Sequence, residues 1–352
     1  MPGNLWTVAV ILLGLSPTVR AKQAPPYVTP QGLALSPDGK WMLHVEETGI
    51  RLLRVEDRRS PVCVDGASLP GHGSDGVFLS VGNRLYAAAV DGLGLSVFSI
   101  QDGKLELVSR LAISKDNIHG PESIHLVGTT CYLACRLSGL GIVDLSAPVA
   151  PKLISMTRST NFARKPWAAG NHVFLADSRG LTVMDVEDAT KPRIVGFLKT
   201  PDIATDVTIH GDLAVVGCGK NWLLSVNVSV PERPKEIGRF RGRIVWYGSY
   251  FFDCVVVDKT LHVGFAEGGY LRIDISNPSQ PKWVSEYHVR RKSDPDRTVF
   301  DNMFTRAIVI DDDLAYLGDK GYIEVVDISH PANVIHVSRI KTEFPPHKRT
   351  SK

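Results

Sequence analysis

Residues 272–284 read RIDISNPSQPKWV: apolar and polar residues alternate through Arg272, Ile273, Asp274 and Ile275, a run of turn-forming residues follows, and Pro281 leads into Trp283 and Val284. Alternation with a period of two marks a strand that has one face in a core. The Asp and Ser side chains that follow can accept the backbone N–H groups just ahead of them, and Pro278 presets φ for a tight turn. Pro281, which has no N–H to give, belongs where the next strand runs along a sheet edge. The stretch therefore reads as strand, turn, edge strand.

The same frame returns along the chain. With Asp274 as anchor, it recurs as GIVDLSAPVAPKLI around Asp144, TVMDVEDATKPRIV around Asp185, SVNVSVPERPKEIG around Asn227 and EVVDISHPANVIHV around Asp327. Two looser copies precede these, LLRVEDRRSPVCV around Arg54 and SVFSIQDGKLELV around Ser99. Successive anchors lie 45, 45, 41, 42, 47 and 53 residues apart, a near-constant repeat. The neighbours of every anchor are apolar, for example Val143 and Leu145, or Val326 and Ile328. Upstream of each anchor a further strand pair is expected, as in Val207 to Val216 around the turn His210-Gly211-Asp212. In the first unit that turn is Ser36-Pro37-Asp38-Gly39-Lys40.

Each unit thus holds about four antiparallel strands, and units of this length are the blades of a propeller. The expected fold is all-β, a seven-bladed β-propeller over residues 31–341, with blades at 31–66, 74–112, 120–157, 165–199, 204–240, 251–289 and 304–341. Each copy supplies its own four strands, and the way in which the ring closes stays open at this point. The copies GIVDLSAPVAPKLI, RIDISNPSQPKWV and EVVDISHPANVIHV resemble the LVIVD repeat, a propeller-forming repeat found largely in exported bacterial proteins. The resemblance covers residues 120–340 well and implies fold far more than chemistry. Blades one and two depart from it, since Arg54 and Ser99 stand where the anchor Asp belongs.

The chain has 352 residues, 43% of them apolar, and a formal charge of +3, without the basic excess of a nucleic-acid binder. Trp6 to Leu15 form an apolar run followed by Pro17 and Val19-Arg20-Ala21. Residues 1–21 are expected to be a secretory signal cleaved after Ala21, which makes the protein an exported one, periplasmic, extracellular or at the cell surface. The run is well short of the roughly 20 residues that span a bilayer, and the mature chain has no membrane span. Residues 22–30 are an N-terminal extension, and 342–352 (TEFPPHKRTSK) a disordered basic tail. Cys131 and Cys135 fall on one face of one strand, roughly 13 Å apart at about 3.3 Å per residue, too far to bridge each other. Most of the five cysteines are expected to be small buried hydrophobes. A single disulfide, Cys218 to Cys254, is the alternative.

No catalytic signature is present: no H-E-x-x-H, G-x-S-x-G, Walker loop, G-x-G-x-x-G, C-x-x-C or EF-hand loop. Asp311-Asp312-Asp313 lies in an expected hairpin turn, and Asn227-Val228-Ser229 is a formal glycosylation sequon whose Asn sits where the sister copies use Asp to hold the turn. Function is expected on the connections between blades, which share one face. Two are long: 241–254, with Trp246, Tyr247, Tyr250, Phe251 and Phe252, and 290–307, rich in charge. Counting back from the turns places Glu122, Asp206, Asp253 and Arg306 near the channel mouth, with Asp75, His72, His119 and Lys165 close by. Two functions compete. One is a monomeric, non-enzymatic binding or scaffolding module, with no cofactor, that engages a protein, peptide or glycan through its rim loops. The other is a metal-dependent hydrolase of lactone, ester or sugar substrates, whose acidic mouth holds a divalent cation such as calcium and activates water.

Overall fold

The computed structural model describes residues 32–219, 222–242, 251–265, 269–288 and 305–342, and these contain twenty-eight strands and no helix. Residues 1–31 and 343–352, with the signal, extension and tail assigned to them, lie outside the described residues, as do Trp246, Tyr247 and Tyr250. The strands form seven antiparallel sheets, each made of four consecutive strands in simple up-and-down order. The first strand of each sheet (Leu33–Leu35, Gly73–Val81, Ser123–Val127, Ala163–Ala169, Ala204–His210, Phe251–Val257 and Ala307–Asp311) contacts the first strands of its neighbours, and the last contacts the first. The molecule is a seven-bladed β-propeller with these strands around its axis.

Apolar alternation explains the packing. The second and third strands of each blade are buried on both faces, and their side chains form the cores between blades. Phe174 and Val183 of blade four, for example, meet Val207, Val216 and Leu224 of blade five. All five cysteines are free thiols, and the alternative of a Cys218–Cys254 disulfide is wrong. Cys218 packs in the core between blades four and five and Cys254 in the core between five and six, so the two belong to separate layers. Burial pushes the Cys135 and Cys218 thiols up to about 12.

The recurring turn does two jobs. The anchor carboxylates of Asp144, Asp185, Asp274 and Asp327 each accept the backbone N–H two residues on, at 2.7, 2.9, 2.8 and 3.0 Å, and Asn227 does the same through its side-chain carbonyl at 2.9 Å. The turn then offers its carbonyls to the preceding blade. Ser109 on the outer strand of blade two donates to the Pro148 carbonyl of blade three at 2.5 Å, and Ser155 of blade three donates to Ala189 of blade four at 2.7 Å. Gly196 and Gly238 take the serine's place at the next two seams. There the approach is closer still, since a Cβ would lie 2.2 Å from the Pro231 carbonyl oxygen and 2.3 Å from that of Pro278. The outer edges, which would otherwise carry unpaired polar groups, are joined in this way at the four seams from blade two to blade six.

Blades one and two modify the device where they depart from the repeat. Blade two replaces the proline turn by a two-residue hairpin, with Asp102 and Gly103 both at positive φ, and Asp65 of blade one reaches across to accept Leu105 N–H at 2.7 Å. In blade one the turn Asp57 to Pro61 carries Arg58 and Arg59, which close the ring onto blade seven. Arg58 bonds Asp311 at 2.6 Å and lies 3.4 Å from Asp313, Arg59 bonds Asp327 at 2.7 Å, and the Tyr316 hydroxyl donates to the Arg58 carbonyl at 2.9 Å. The acidic hairpin of blade seven is thus the partner of two arginines at the closing seam.

Candidate functional site at the channel mouth

One position of the inner strand builds the mouth. Asp75, Ser123, Lys165, Asp206, Asp253 and Ala307 each pair with the penultimate residue of the second strand, opposite Val90, Ala134, Ala176, Gly217, Gly264 and Gly318. Gly32, whose carbonyl accepts Val45 N–H, completes the set in blade one. Seven equivalent positions thus carry three carboxylates, one ammonium, one hydroxyl and two small residues. In blades two, four, five and six a β-bulge directly precedes this position. A bulge inserts one residue and turns it away from the alternation of its neighbours.

The residues expected at the mouth fall into two groups. Asp75, Lys165, Asp206 and Asp253 stand on the shared position. Glu122 and Arg306 are one residue earlier, and their backbone N–H groups bond the same carbonyls, Ala134 and Gly318, that face the shared position. Glu122 is buried between blades, where it accepts Arg136 at 3.0 Å and Arg164 at 3.1 Å. Arg306 is buried 3.8 Å from Glu47 of blade one. His119 is exposed and bonds Asp116 at 2.9 Å, and His72 is exposed as well, so neither histidine stands with the carboxylates.

On the shared position each acid reaches one blade forward. Asp75 accepts the Ser123 hydroxyl at 2.5 Å and Ile124 N–H at 3.2 Å, and Asp253 accepts Ile308 N–H at 2.9 Å. Asp206, fully buried, faces the N–H and thiol of Cys254 in the next blade. The Lys165 ammonium lies 3.4 Å from Asp253 and 3.7 Å from Asp75. Burial works against its charge, but the carboxylates of Asp253, Asp75 and Asp206 outweigh it and raise the ammonium's pKa above the ordinary lysine value. Burial raises Asp206 to about 7, with Lys165 opposing and Asp253 adding to the rise, and burial raises Asp253 as well.

Two residues along the same strands, His125 and Trp167 stack with ring centroids 4.7 Å apart, and the His125 nitrogen accepts Ala168 N–H at 3.1 Å. Burial, with Lys165 nearby, lowers His125 to about 4, so the imidazole is neutral. Sequence reasoning missed this pair and the hydroxyl of Ser123. The period of two carries a signal for both, because Ser123 is an inner-strand residue two positions before His125.

The geometry can hold a buried charge cluster and fix blade register. Among the described residues no three His, Cys, Asp or Glu side chains converge as donors to a metal ion, and the cation between these carboxylates is the chain's own ammonium. No described helix is long and apolar enough to cross a membrane.

The model of the LVIVD repeat matches residues 122–157, 163–200, 202–241, 253–289 and 305–342, five blades that together make up just over half of the chain. No curated protein matches in sequence. Among solved structures the chain is similar to a candidate 6-phosphogluconolactonase of Bacteroides fragilis, at TM-score 0.69 and 12% identity over 88% of this chain and 97% of that one. It is also similar to Sqt1 of Saccharomyces cerevisiae (TM-score 0.62, 9% identity, 92% and 91% covered) and to the computationally designed protein Ika8 (TM-score 0.59, 11% identity, 88% and 86% covered). Likeness at these identities is likeness of fold.

Proposed function

Because the chain belongs to the LVIVD-repeat family, we propose that it is an exported propeller that works as a binding or scaffolding module and engages a protein, peptide or glycan on the face where the blade connections lie. One observation carries this reading. Asp206 aside, the ionisable side chains at the channel mouth are committed to joining blades: Asp75 and Asp253 bond the next blade's amides, Lys165 bridges the two, and Glu122 holds two arginines. Groups tied in this way serve as ring architecture, and specificity falls to the loops above them.

The test is a turnover screen against lactone, ester and sugar-phosphate substrates, run on protein purified without chelator and analysed for bound metal. The binding-module reading expects no turnover above background. Hydrolysis that is lost on Asp206→Ala and Asp253→Ala, together with stoichiometric calcium, zinc or manganese, would replace it with the hydrolase reading, in which the mouth activates water.

A further inference from the structure

The face that carries the blade connections is not evenly charged. Across blades three to five, Lys115, Arg158, Arg179, Lys199 and Arg241 are all exposed. Register puts each at the same end of its blade. Arg179 lies in the turn before Gly180, Lys199 pairs with Gly180, Arg241 pairs with Trp222, Arg158 follows the last residue of its strand, and Lys115 lies in the segment leading to Glu122. Among the described residues of these segments the one exposed carboxylate is Asp116, which bonds His119. Of the buried acids nearby, Asp177 accepts the Thr160 hydroxyl and the backbone N–H groups of Asn161 and Arg179, and Glu122 is spent on Arg136 and Arg164.

The cations do not stand alone. Ile118 is 56% and Leu137 42% exposed, and Leu137 N–H donates to the Ile118 carbonyl at 3.3 Å, which fixes the two aliphatic side chains beside each other in adjoining loops. At the other end of the stretch the Trp222 ring lies under Arg239 and Arg241, 5.5 and 5.3 Å from its centroid; Arg239 is already paired with Glu236 at 2.6 Å, and the cation–π contact leaves the Arg241 guanidinium held in place. Planar, pre-positioned guanidinium groups suit carboxylates. Exposed aliphatic side chains among them have no use for a sulfated or uronic glycan, which presents little apolar surface. They suit a polypeptide whose acidic residues are interleaved with aliphatic ones.

We propose that this face, across blades three to five, docks an acidic segment of a partner protein that carries aliphatic residues. The carboxylates meet Arg158, Arg179, Lys199 and Arg241, and the aliphatic side chains meet Ile118 and Leu137. The inference rests on the binding-module reading and supplies its partner chemistry, yet the two fail separately: hydrolytic turnover sinks the module, whereas the peptide experiment below sinks only this surface.

The experiment is fluorescence anisotropy of a labelled peptide of repeating Glu-Glu-Leu sequence titrated with the full chain, against a Lys-Lys-Leu control and with heparin as competitor. Saturable binding to the acidic peptide alone is expected, weakening as salt rises from about 0.05 to about 0.5 M. Joint reversal of Arg158→Glu, Arg179→Glu and Lys199→Glu is expected to weaken it at least about tenfold, and Arg179→Gln alone, which leaves the net charge nearer native, about threefold. Ile118→Ser with Leu137→Ser should cost about fivefold. Lys40→Glu and Arg84→Glu, exposed on the opposite face, should change nothing. The proposal is overturned by absence of saturable binding, by affinity unchanged in the charge-reversed protein, or by heparin displacing the peptide with no loss in the Ile118 and Leu137 variant, the last of which would make the surface a glycan site.

Discussion

At the channel a blade reaches its neighbour through a carboxylate or ammonium that is buried or partly buried; at the rim it does so through a serine hydroxyl or the bare Cα of a glycine. Both seams satisfy backbone groups that an isolated blade would leave open, but they differ in what happens when one partner is lost. A rim hydroxyl that is removed leaves a carbonyl near water, which can replace the bond. An inner-ring charge that is removed leaves its counter-charges where water has little access, and the residual field has to be relieved by protonation, by an ion or by movement. The inner ring therefore fixes which blade follows which, while the rim adds small increments to each contact.

The sharpest way to break this contrast is Lys165→Met. The replacement keeps the length of the apolar stem but strands Asp75, Asp206 and Asp253 around an empty charge, and removing one partner of a buried ionic set costs about 3 kcal/mol or more. The expected outcome in a urea titration is a midpoint drop larger than for any rim variant. A midpoint within error of the native protein would mean that water already screens the mouth.

The two regions also titrate in different windows. In the unfolded chain the Asp206 carboxyl releases its proton near its ordinary value of 3.8, whereas in the folded ring burial holds the proton until about 7. Between those values the native state binds a proton that the unfolded state does not, so this group's contribution is fully present below the lower pH and is lost as pH rises through about 7. The anchor carboxylates behave in the opposite sense. The Ser329 hydroxyl and N–H, with Arg59, hold Asp327 down to about 2, and the turn bonds lower Asp144, Asp185 and Asp274. Their contribution is present above the ordinary carboxyl value and disappears as pH falls towards about 2. Below about 6.5 the buried imidazoles of His125 and His262, lowered by burial to about 4, gain stability as pH rises and offset the loss from Asp206. Thermal melts should thus decline with pH chiefly from about 6.5 to about 8, and Asp206→Asn should remove that decline while leaving the acid limb intact. A slope that survives in Asp206→Asn would assign it to another group.

The fold was legible because a repeat states it seven times. Apolar neighbours flank the anchor position in every copy and at least one proline follows it in all but the second, so that strand, turn and edge are set repeatedly and agreement between copies outweighs the ambiguity of any one strand. The mouth was half legible. Counting from the turns reached Asp206, Asp253, Asp75 and Lys165, since strand period predicts which residues line an axis. The same count placed Glu122 and Arg306 with them, one residue short of the shared position; an offset of one residue at the start of a strand has no signature in composition, and it leaves both side chains buried between blades. The rim hooks were invisible for another reason. Ser109, Ser155, Gly196 and Gly238 look like ordinary strand residues until the neighbouring blade's turn is known to lie against them.

The ring seam between blades seven and one sharpens the comparison, because there the rim borrows the chemistry of the interior. Arg58 and Arg59 face Asp311, Asp313 and Asp327 in side-chain environments open to solvent, with Arg58 40% and Arg59 53% exposed. Exposed pairs contribute little one by one and more as a network, so Arg58→Gln with Arg59→Gln should cost about 1–2 kcal/mol at low salt. The cost should shrink by roughly half in about 1 M salt, where the Debye length is near 3 Å. A loss independent of salt would shift the credit from charge to the Tyr316 hydroxyl bond at the same seam.

Ser109→Ala is the mildest change. It deletes one neutral hydrogen bond to the Pro148 carbonyl, at a partly buried site where water can reach the orphaned oxygen, and bonds of that kind contribute about 1 kcal/mol or less. The expected cost is therefore small and unaffected by salt or by pH between about 5 and about 8, which separates it from both charged regions. The same substitution at Ser155 should behave alike, since it makes the equivalent bond to Ala189 one seam further on. If either serine cost as much as Lys165→Met, the rim would be holding the blades in place and the inner ring would be following it, because a single neutral bond can only reach that magnitude when its loss lets the whole seam open.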